Sequence, residues 1–354
     1  MGLKVCVAMS GGVDSSVAAA LLAEQGYDVV GAFMKNWSLN QEGVQYKPWE
    51  SEAEDAGTVC RQLGIPFHIF DFEQEYHERV VKRFVAEYQR GRTPNPDVLC
   101  NREIKFDLFM KKAESLGANM IATGHYAQVK HRSGQYQLMA GADADKDQSY
   151  FLYTLTGAQL SKVLFPIGHL LKSQVRELAH LHHLVVADKK DSQGICFIGP
   201  VSMRKFLQSY IKSSPGNVVM VDGRVIGRHD GVIYYTEGQR HGFDTGGNHD
   251  PLYVMEKNVG KNELVVAPQG DSRLLAQSVS LEDVTWVNDA PDLSRPVLVR
   301  VRYRQVLHRA IIKHQDNIYA VEFDQPIEHV SLGQSAVLYD QDRVLGGGII
   351  AGKF

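Results

Sequence analysis

Ala8-Met9-Ser10-Gly11-Gly12-Val13-Asp14-Ser15-Ser16 is the stretch whose reading decides the fold. It lies between an alternating apolar run (Leu3, Val5, Val7) and a run of helical periodicity from Val17 to Leu22. That order predicts a strand, a glycine-rich turn and a helix, so that backbone N–H groups and a helix N-terminus face an anion. Gly11 and Gly12 permit a tight turn and a close approach of the backbone to a phosphate. Ser10, Ser15 and Ser16 add hydroxyls, and Asp14 can help hold Mg2+. The stretch has no lysine and does not fit GxxxxGK[ST], so it is not a Walker-type loop.

The sequence around it sets the bounds. A chain of 354 residues exceeds one ordinary core and predicts two or three units. With 44% hydrophobic and 22% charged residues the composition is that of a soluble globular protein. Apolar runs fall short of the ~18 residues of a membrane span, and no basic-then-apolar leader opens the sequence. A cytoplasmic protein with no membrane partner is expected. Cys6, Cys60, Cys100 and Cys196 lie far apart with no CxxC pair, which argues against a zinc site or a disulfide scaffold. His180, His182 and His183 have no companion carboxylate or cysteine at ligand spacing, so no resident metal is expected. A net charge of −3 excludes a generally basic nucleic-acid binder and confines RNA contact to local patches.

Through the first half, strands at 5–9, 29–34, 67–70 and 120–123 alternate with helical patterns at 15–25, from 51, at 75–88 and at 102–116. Ser51-x-x-Glu54 reads as a capping box opening the second helix. The alternation predicts an α/β fold with a doubly wound parallel sheet, its ligands at the carboxyl ends of the strands. Met34 and Thr123-Gly124-His125 fall at two such ends, where Met34 would pack on an adenine and Gly124 would admit a nucleotide. Beyond Met203 the pattern changes to short strands: 218–221, an Asp222-Gly223 turn, 225–226 and 232–235. A second run holds 297–303, 310–313, 319–323 and 336–339, with Gly346-Gly347-Gly348 breaking the last strand, and predicts a small β-barrel or sandwich, of which the barrel is taken. Three units are expected: a doubly wound unit over 1–200, a small mixed unit over 201–272 and a β-barrel over 273–354.

Two of the cysteines stand out. Cys6 and Cys60 sit in apolar settings and read as buried structural thiols. Cys100 closes the segment Thr93-Pro94-Asn95-Pro96-Asp97-Val98-Leu99-Cys100, whose two prolines stiffen a loop. That loop would deliver Asp97 and Cys100 to the mouth of the helix at 102, where the dipole favours a thiolate. Cys196 ends a second polar turn, Asp191-Ser192-Gln193-Gly194-Ile195-Cys196. Arg300, Arg302 and Arg304 alternate with Val299, Val301 and Tyr303, which on a strand puts three guanidiniums on one face for phosphate contacts. Residues 271–354 carry nine Lys/Arg against eleven Asp/Glu, so such a surface would act as a patch.

Ser-Gly-Gly-Val-Asp-Ser resembles the signature of PP-loop ATP pyrophosphatases, which split ATP between its α and β phosphates. Thr-Pro-Asn-Pro-Asp-Val-Leu-Cys-Asn, Ala-Thr-Gly-His-Tyr, Lys-Asp-Gln-Ser-Tyr-Phe-Leu-Tyr, Asp-Ser-Gln-Gly-Ile-Cys-Phe-Ile-Gly and Arg302-Tyr303-Arg304-Gln305 follow in order. Together they resemble the bacterial tRNA-specific 2-thiouridylases over nearly the whole chain, with Gln193 standing where the family carries threonine. The resemblance implies ATP with Mg2+, held at Ala8, Met9, Ser10, Gly11, Gly12, Val13, Asp14, Ser15, Met34 and Gly124. It implies a Cys196 persulfide loaded by a sulfur-donor protein (a cysteine desulfurase or a relay protein), Cys100 as its partner thiol, and Asp97 as general acid/base. It implies tRNA for Lys, Glu and Gln as substrate, with Asn95, Pro96 and Asp97 around the target base. His125, Lys146, Asp147 and Gln148 would contact tRNA near the site, and Arg302, Tyr303 and Gln334 would contact the anticodon arm. A PP-loop synthetase would share the first motif without needing either thiol. A redox-switched RNA-binding protein would need the thiols but release no AMP.

Overall fold

The alternation of Val5, Val7 and Met9 with Cys6 and Ala8 sends their side chains to opposite faces of one strand, and the molecule is layered accordingly. A computed structural model describes residues 2–41, 44–46, 48–190, 203–245 and 250–354. Its first unit contains β1 (Lys4–Met9), β2 (Asp28–Lys35), β3 (Phe67–Asp71) and β4 (Met120–Thr123), then the hairpin of β5 (Ala127–Arg132) and β6 (Gln135–Ala140), then β7 (Val163–Leu164). The sheet runs β3-β2-β1-β4-β7 with every pairing parallel. Helices α1 (Val13–Glu24), α2 (Pro48–Gln62) and α5 (Lys172–Leu181) supply Val17, Ala56, Val59 and Val175 to the face of Val5, Val7 and Met9. Helices α3 (73–89) and α4 (96–115) supply Phe84, Ile104 and Phe109 to the face of Cys6 and Ala8. Both faces are therefore covered, as a parallel sheet requires.

Three local expectations are corrected. Helix α4 begins at Pro96, six positions before Arg102, because Asn95 is an N-cap: its Oδ1 accepts the N–H of Asp97 at 3.1 Å and of Val98 at 3.3 Å. Pro96 fills the first helical position, where its missing N–H costs nothing. Helix α2 runs from Pro48, three residues before the Ser51 box. Residues Val232–Tyr234 form a 3-10 turn, not a strand. α3 and α4 also carry π segments, at His77–Val81 and Asn101–Leu108, which no apolar period announces.

The second unit sets α6 (Met203–Tyr210) beside β8 (Gly216–Met220), β9 (Val225–His229), β10 (Leu252–Asn258) and β11 (Glu263–Pro268), in the order β9-β8-β11-β10. The third holds β12 (Leu275–Trp286), β13 (Val297–Arg300), β14 (His308–Gln315), β15 (Ile318–Glu328), β16 (Ser335–Asp340) and β17 (Arg343–Lys353). These six run β12-β15-β14-β13-β16-β17, and β12 pairs back with β17 to close a barrel. The glycines at 346–348 do not break β17; they admit neighbours. A Cβ on Gly347 would stand 2.9 Å from the Tyr153 ring, and one on Gly346 would stand 2.8 Å from Trp286. The barrel sheet continues into the first unit, since β17 also pairs with β6 through Arg343↔Met139 and Val344↔Leu138.

Candidate nucleotide and thiol site

The Ser-Gly-Gly turn lies where β1 ends at the carboxyl edge of the sheet. Gly11 has φ +71°, and a Cβ there would stand 2.2 Å from the Glu52 carbonyl oxygen, so only glycine fits. Gly12 is the N-cap of α1 and offers no side-chain cap. The first-turn N–H groups of a helix have no carbonyl within it to bond, and here they open at the turn. The serines tie the turn to the helix. Ser15 Oγ accepts the Ser10 N–H at 3.1 Å, and Ser16 Oγ donates to the Gly12 carbonyl at 2.8 Å. The result is a preformed anion cradle.

The charge that the turn lacks comes from far along the chain. Lys172, the first residue of α5, donates from Nζ to Asp14 Oδ1 at 2.7 Å and lies 5.8 Å from the Tyr126 ring centre. Tyr126 Oη donates to the same oxygen at 2.9 Å. Lys189 Nζ donates to the Gly11 carbonyl at 3.0 Å and to Asp55 Oδ2 at 2.6 Å. Neither lysine is among the residues that the sequence motifs single out. One weak signal existed: a lysine opening a helix opposes the helix dipole, and a residue so placed has another reason to be there.

Met34 sits half-buried near the end of β2. Gly124 follows β4, but its close neighbour is protein. A Cβ there would stand 2.7 Å from the Asp14 carbonyl carbon and 2.7 Å from the Ser15 nitrogen. Gly124 thus lets β4 press against the turn itself, a different role from admitting the nucleotide. His125 is buried, with Nδ1 2.7 Å from Thr123 Oγ1 and its ring packed against both Phe106 and Phe165, at 5.9 and 6.0 Å between centres. Burial, and secondly the Lys105 charge, hold its pKa well below the usual imidazole value.

Cys100 lies in the second turn of α4, 1% exposed within the core cluster that also contains Leu99 and Ile104. The expectation that it sits at a helix mouth among polar residues is corrected, because the Asn95 cap moves the helix start forward. Asp97 remains in the first turn, where a carboxylate suits the dipole. Cys6 and Cys60 are buried in the core as expected, and burial raises both thiols, to about 12 and about 11. Cys196, with the whole turn from Asp191, lies outside the described residues.

The remaining candidates divide. Asp147 is 5% exposed: Oδ1 accepts the N–H groups of Gly141 and Ser149, each at 3.0 Å, and Oδ2 pairs with Arg300 at 3.1 Å. Gln148 Oε1 accepts the Tyr126 N–H at 3.0 Å, which links this turn to the Asp14 network. Arg300 is committed inward to Asp147, and β13 ends there, so no strand places Arg300, Arg302 and Arg304 on one face. Arg302 is exposed in the following turn, and Tyr303 packs on Phe151 at 4.4 Å between ring centres. Gln334 Nε2 donates to the Thr93 carbonyl at 2.8 Å, and so reaches the segment of Asn95, Pro96 and Asp97. Among the described residues, no group of three or more His, Cys, Asp or Glu could hold a metal ion, and no helix is long and apolar enough to cross a membrane.

A doubly wound parallel sheet with this turn at its edge, followed by a small β sheet and a closed barrel, defines an α/β protein of the HUP type with two β extensions. Family models agree along the chain: "tRNA methyl transferase HUP domain" over residues 3–200, "tRNA methyl transferase PRC-barrel domain" over 204–268 and "Aminomethyltransferase beta-barrel domain" over 276–350. The tRNA-specific 2-thiouridylase MnmA of Geobacillus thermodenitrificans (strain NG80-2) is 50% identical over 352 residues, 98% of this chain and 94% of the relative. That of Bacillus subtilis (strain 168) is 47% identical over 351 residues, with the same coverage of each chain. The chain belongs to the tRNA-specific 2-thiouridylase family.

Proposed function

We propose that the chain is an ATP-dependent tRNA-uridine 2-sulfurtransferase acting at the wobble uridine of tRNAs for Lys, Glu and Gln. Residues 1–200 would carry the chemistry, and 201–272 and 273–354 would seat the tRNA. The observation that carries the reading is the anion cradle at 10–16, to which Lys172 and Lys189 are brought by separate segments. It suits a nucleoside triphosphate: glycine backbone, hydroxyls, a helix N-terminus and two ammoniums converge. Asp14 is the carboxylate at the turn for a phosphate-bound Mg2+.

The C2 oxygen of uridine is a poor leaving group, and ATP as substrate supplies the remedy. The oxygen attacks the α-phosphorus and pyrophosphate leaves. The terminal sulfur of a Cys196 persulfide then attacks C2, and AMP departs with the oxygen. Cys100 attacks the Cys196 sulfur, the S–S bond breaks, and its electron pair stays on the sulfur bound to C2. The products are 2-thiouridine and a Cys100–Cys196 disulfide, which an external two-electron dithiol reductant returns to thiols. Asp97 would move the pyrimidine proton. Asn95 and Pro96 would frame a base splayed from its stack. The persulfide is loaded by a cysteine desulfurase or a relay protein.

The test combines ATP, Mg2+, a persulfide donor, a reductant and unmodified tRNA, with nucleoside analysis of the product. Expected are 2-thiouridine and tRNA-dependent pyrophosphate, with thiolation lost in Cys100→Ala and Cys196→Ala. Pyrophosphate formation that survives both substitutions with a small-molecule acceptor and no tRNA would favour a synthetase and overturn the reading.

A further inference from the structure

Thr93 has its N–H, its carbonyl and its hydroxyl committed to the other two units. The N–H donates to the Leu332 carbonyl at 2.8 Å, and the carbonyl accepts Gln334 Nε2 at 2.8 Å. The hydroxyl accepts Lys257 Nζ at 3.0 Å, with Thr236 Oγ1 3.4 Å away. Leu332 and Gln334 lie just before β16 of the barrel, and Lys257 lies on β10 of the central sheet. Behind Lys257 stands Glu237, 4% exposed, whose Oε2 accepts the Leu332 N–H at 3.2 Å and pairs with Lys353 at 3.2 Å.

Buried charges of this kind are expensive and rarely a net source of stability. Burial, with Lys353 adding and Glu237 opposing, brings Lys257 down to about 8. What the cluster does provide is a fixed arrangement. Only Pro94, Asn95 and Pro96 separate Thr93 from Asp97. Two of those three residues have φ fixed by proline rings, and Asn95 caps α4. A displacement at Thr93 is therefore carried to Asp97 and Cys100 with little slack.

We propose that Thr93, gripped by Lys257 and Gln334, is a positioning residue through which the central and barrel units set the placement of the Asp97–Cys100 turn. The role of Cys100 in sulfur transfer rests on the function proposed above; the mechanical coupling does not.

The test uses the full chain and reads the rate of Cys100 alkylation by iodoacetamide, followed by peptide mass spectrometry after reduction and removal of the reductant. Thr93→Val keeps the shape and removes the hydroxyl, Thr93→Ser restores it, and Lys257→Met keeps the apolar stem. Thr93→Val and Lys257→Met are expected to raise the Cys100 rate at least tenfold and to lower kcat for thiolation with KM for ATP unchanged. Thr93→Ser is expected to stay within twofold of the natural chain. Cys60, which packs in the core cluster on the other face of the parallel sheet, is expected to keep its rate throughout and so report on global loosening. If Thr93→Val unfolds, Gln334→Ala, which removes one donor to Thr93, is expected to raise the rate in the same direction. A Cys100 rate within twofold of the natural chain in the folded variants overturns the proposal, as does a parallel rise at Cys60. Alkylation needs no tRNA, so absence of 2-thiouridine from every variant would sink the thiolation reading and leave the outcome at Cys100 standing.

Discussion

Lys172→Met removes an ammonium from the cradle and keeps most of the side-chain stem. In an effective dielectric of about 20, two charges at this 2.7 Å spacing attract by roughly 6 kcal/mol before desolvation is counted. The side chains of Lys172 and Asp14 are 13% and 33% exposed, so solvent screens the pair and desolvation offsets most of the rest. The net loss of fold stability is then about 1 kcal/mol, or roughly 1–2 °C in Tm for a chain of 354 residues. The effect on chemistry is larger. A preorganised donor facing developing phosphate charge contributes about 3 kcal/mol, or about a hundredfold in kcat. Measured as tRNA-dependent pyrophosphate release at saturating ATP, Lys172→Met is expected to fall about a hundredfold while its melting curve scarcely moves. Release within threefold of the natural chain would refute the assignment of Lys172 to the cradle. So would a loss that tracks unfolding.

Two further outcomes test the same site. Gly124→Ala forces a methyl group against the backbone of Asp14 and Ser15, so the turn must shift. Nucleotide affinity, read by calorimetry, is expected to fall at least tenfold, and unchanged affinity would show that the close approach does not matter. His125 has a folded pKa below its unfolded value of about 6.5. The unfolded chain therefore binds more protons in the window below that value, and stability is lost as pH falls from 6.5. Urea midpoints at pH 7.5 and 5.5 are expected to differ less in His125→Gln than in the natural chain; parallel falls would count against the buried neutral imidazole.

Much of the first unit is legible because its signals are local. The strand, turn and helix at 4–24 follow from apolar period and glycine placement. The parallel order follows from strands alternating with helices. The misreadings also have local causes. Asn95-Pro96 is a helix start as well as a stiff loop, and weighting the two prolines toward a loop hid the cap that draws Cys100 into the core. The alternation at 299–304 suggests a strand stripe of Arg300, Arg302 and Arg304, but the partner that turns Arg300 inward, Asp147, lies on a different unit. The contacts of Lys172 and Lys189 leave no signal in the sequence, because no periodicity links them to residue 14 or 11. Long-range pairing of charges leaves no mark in a single sequence.

The seam between β6 and β17 has a bearing on biogenesis. Met139 and Leu138 wait for Arg343 and Val344, so that stretch of an early hairpin's outer rim stays unpaired until residue 344 has emerged from the ribosome. An isolated two-stranded ribbon is marginal in water, and its open rim is adhesive. Nascent chains halted before the last strand would carry that rim uncovered, and their clumping would betray incomplete synthesis well before any missing activity did.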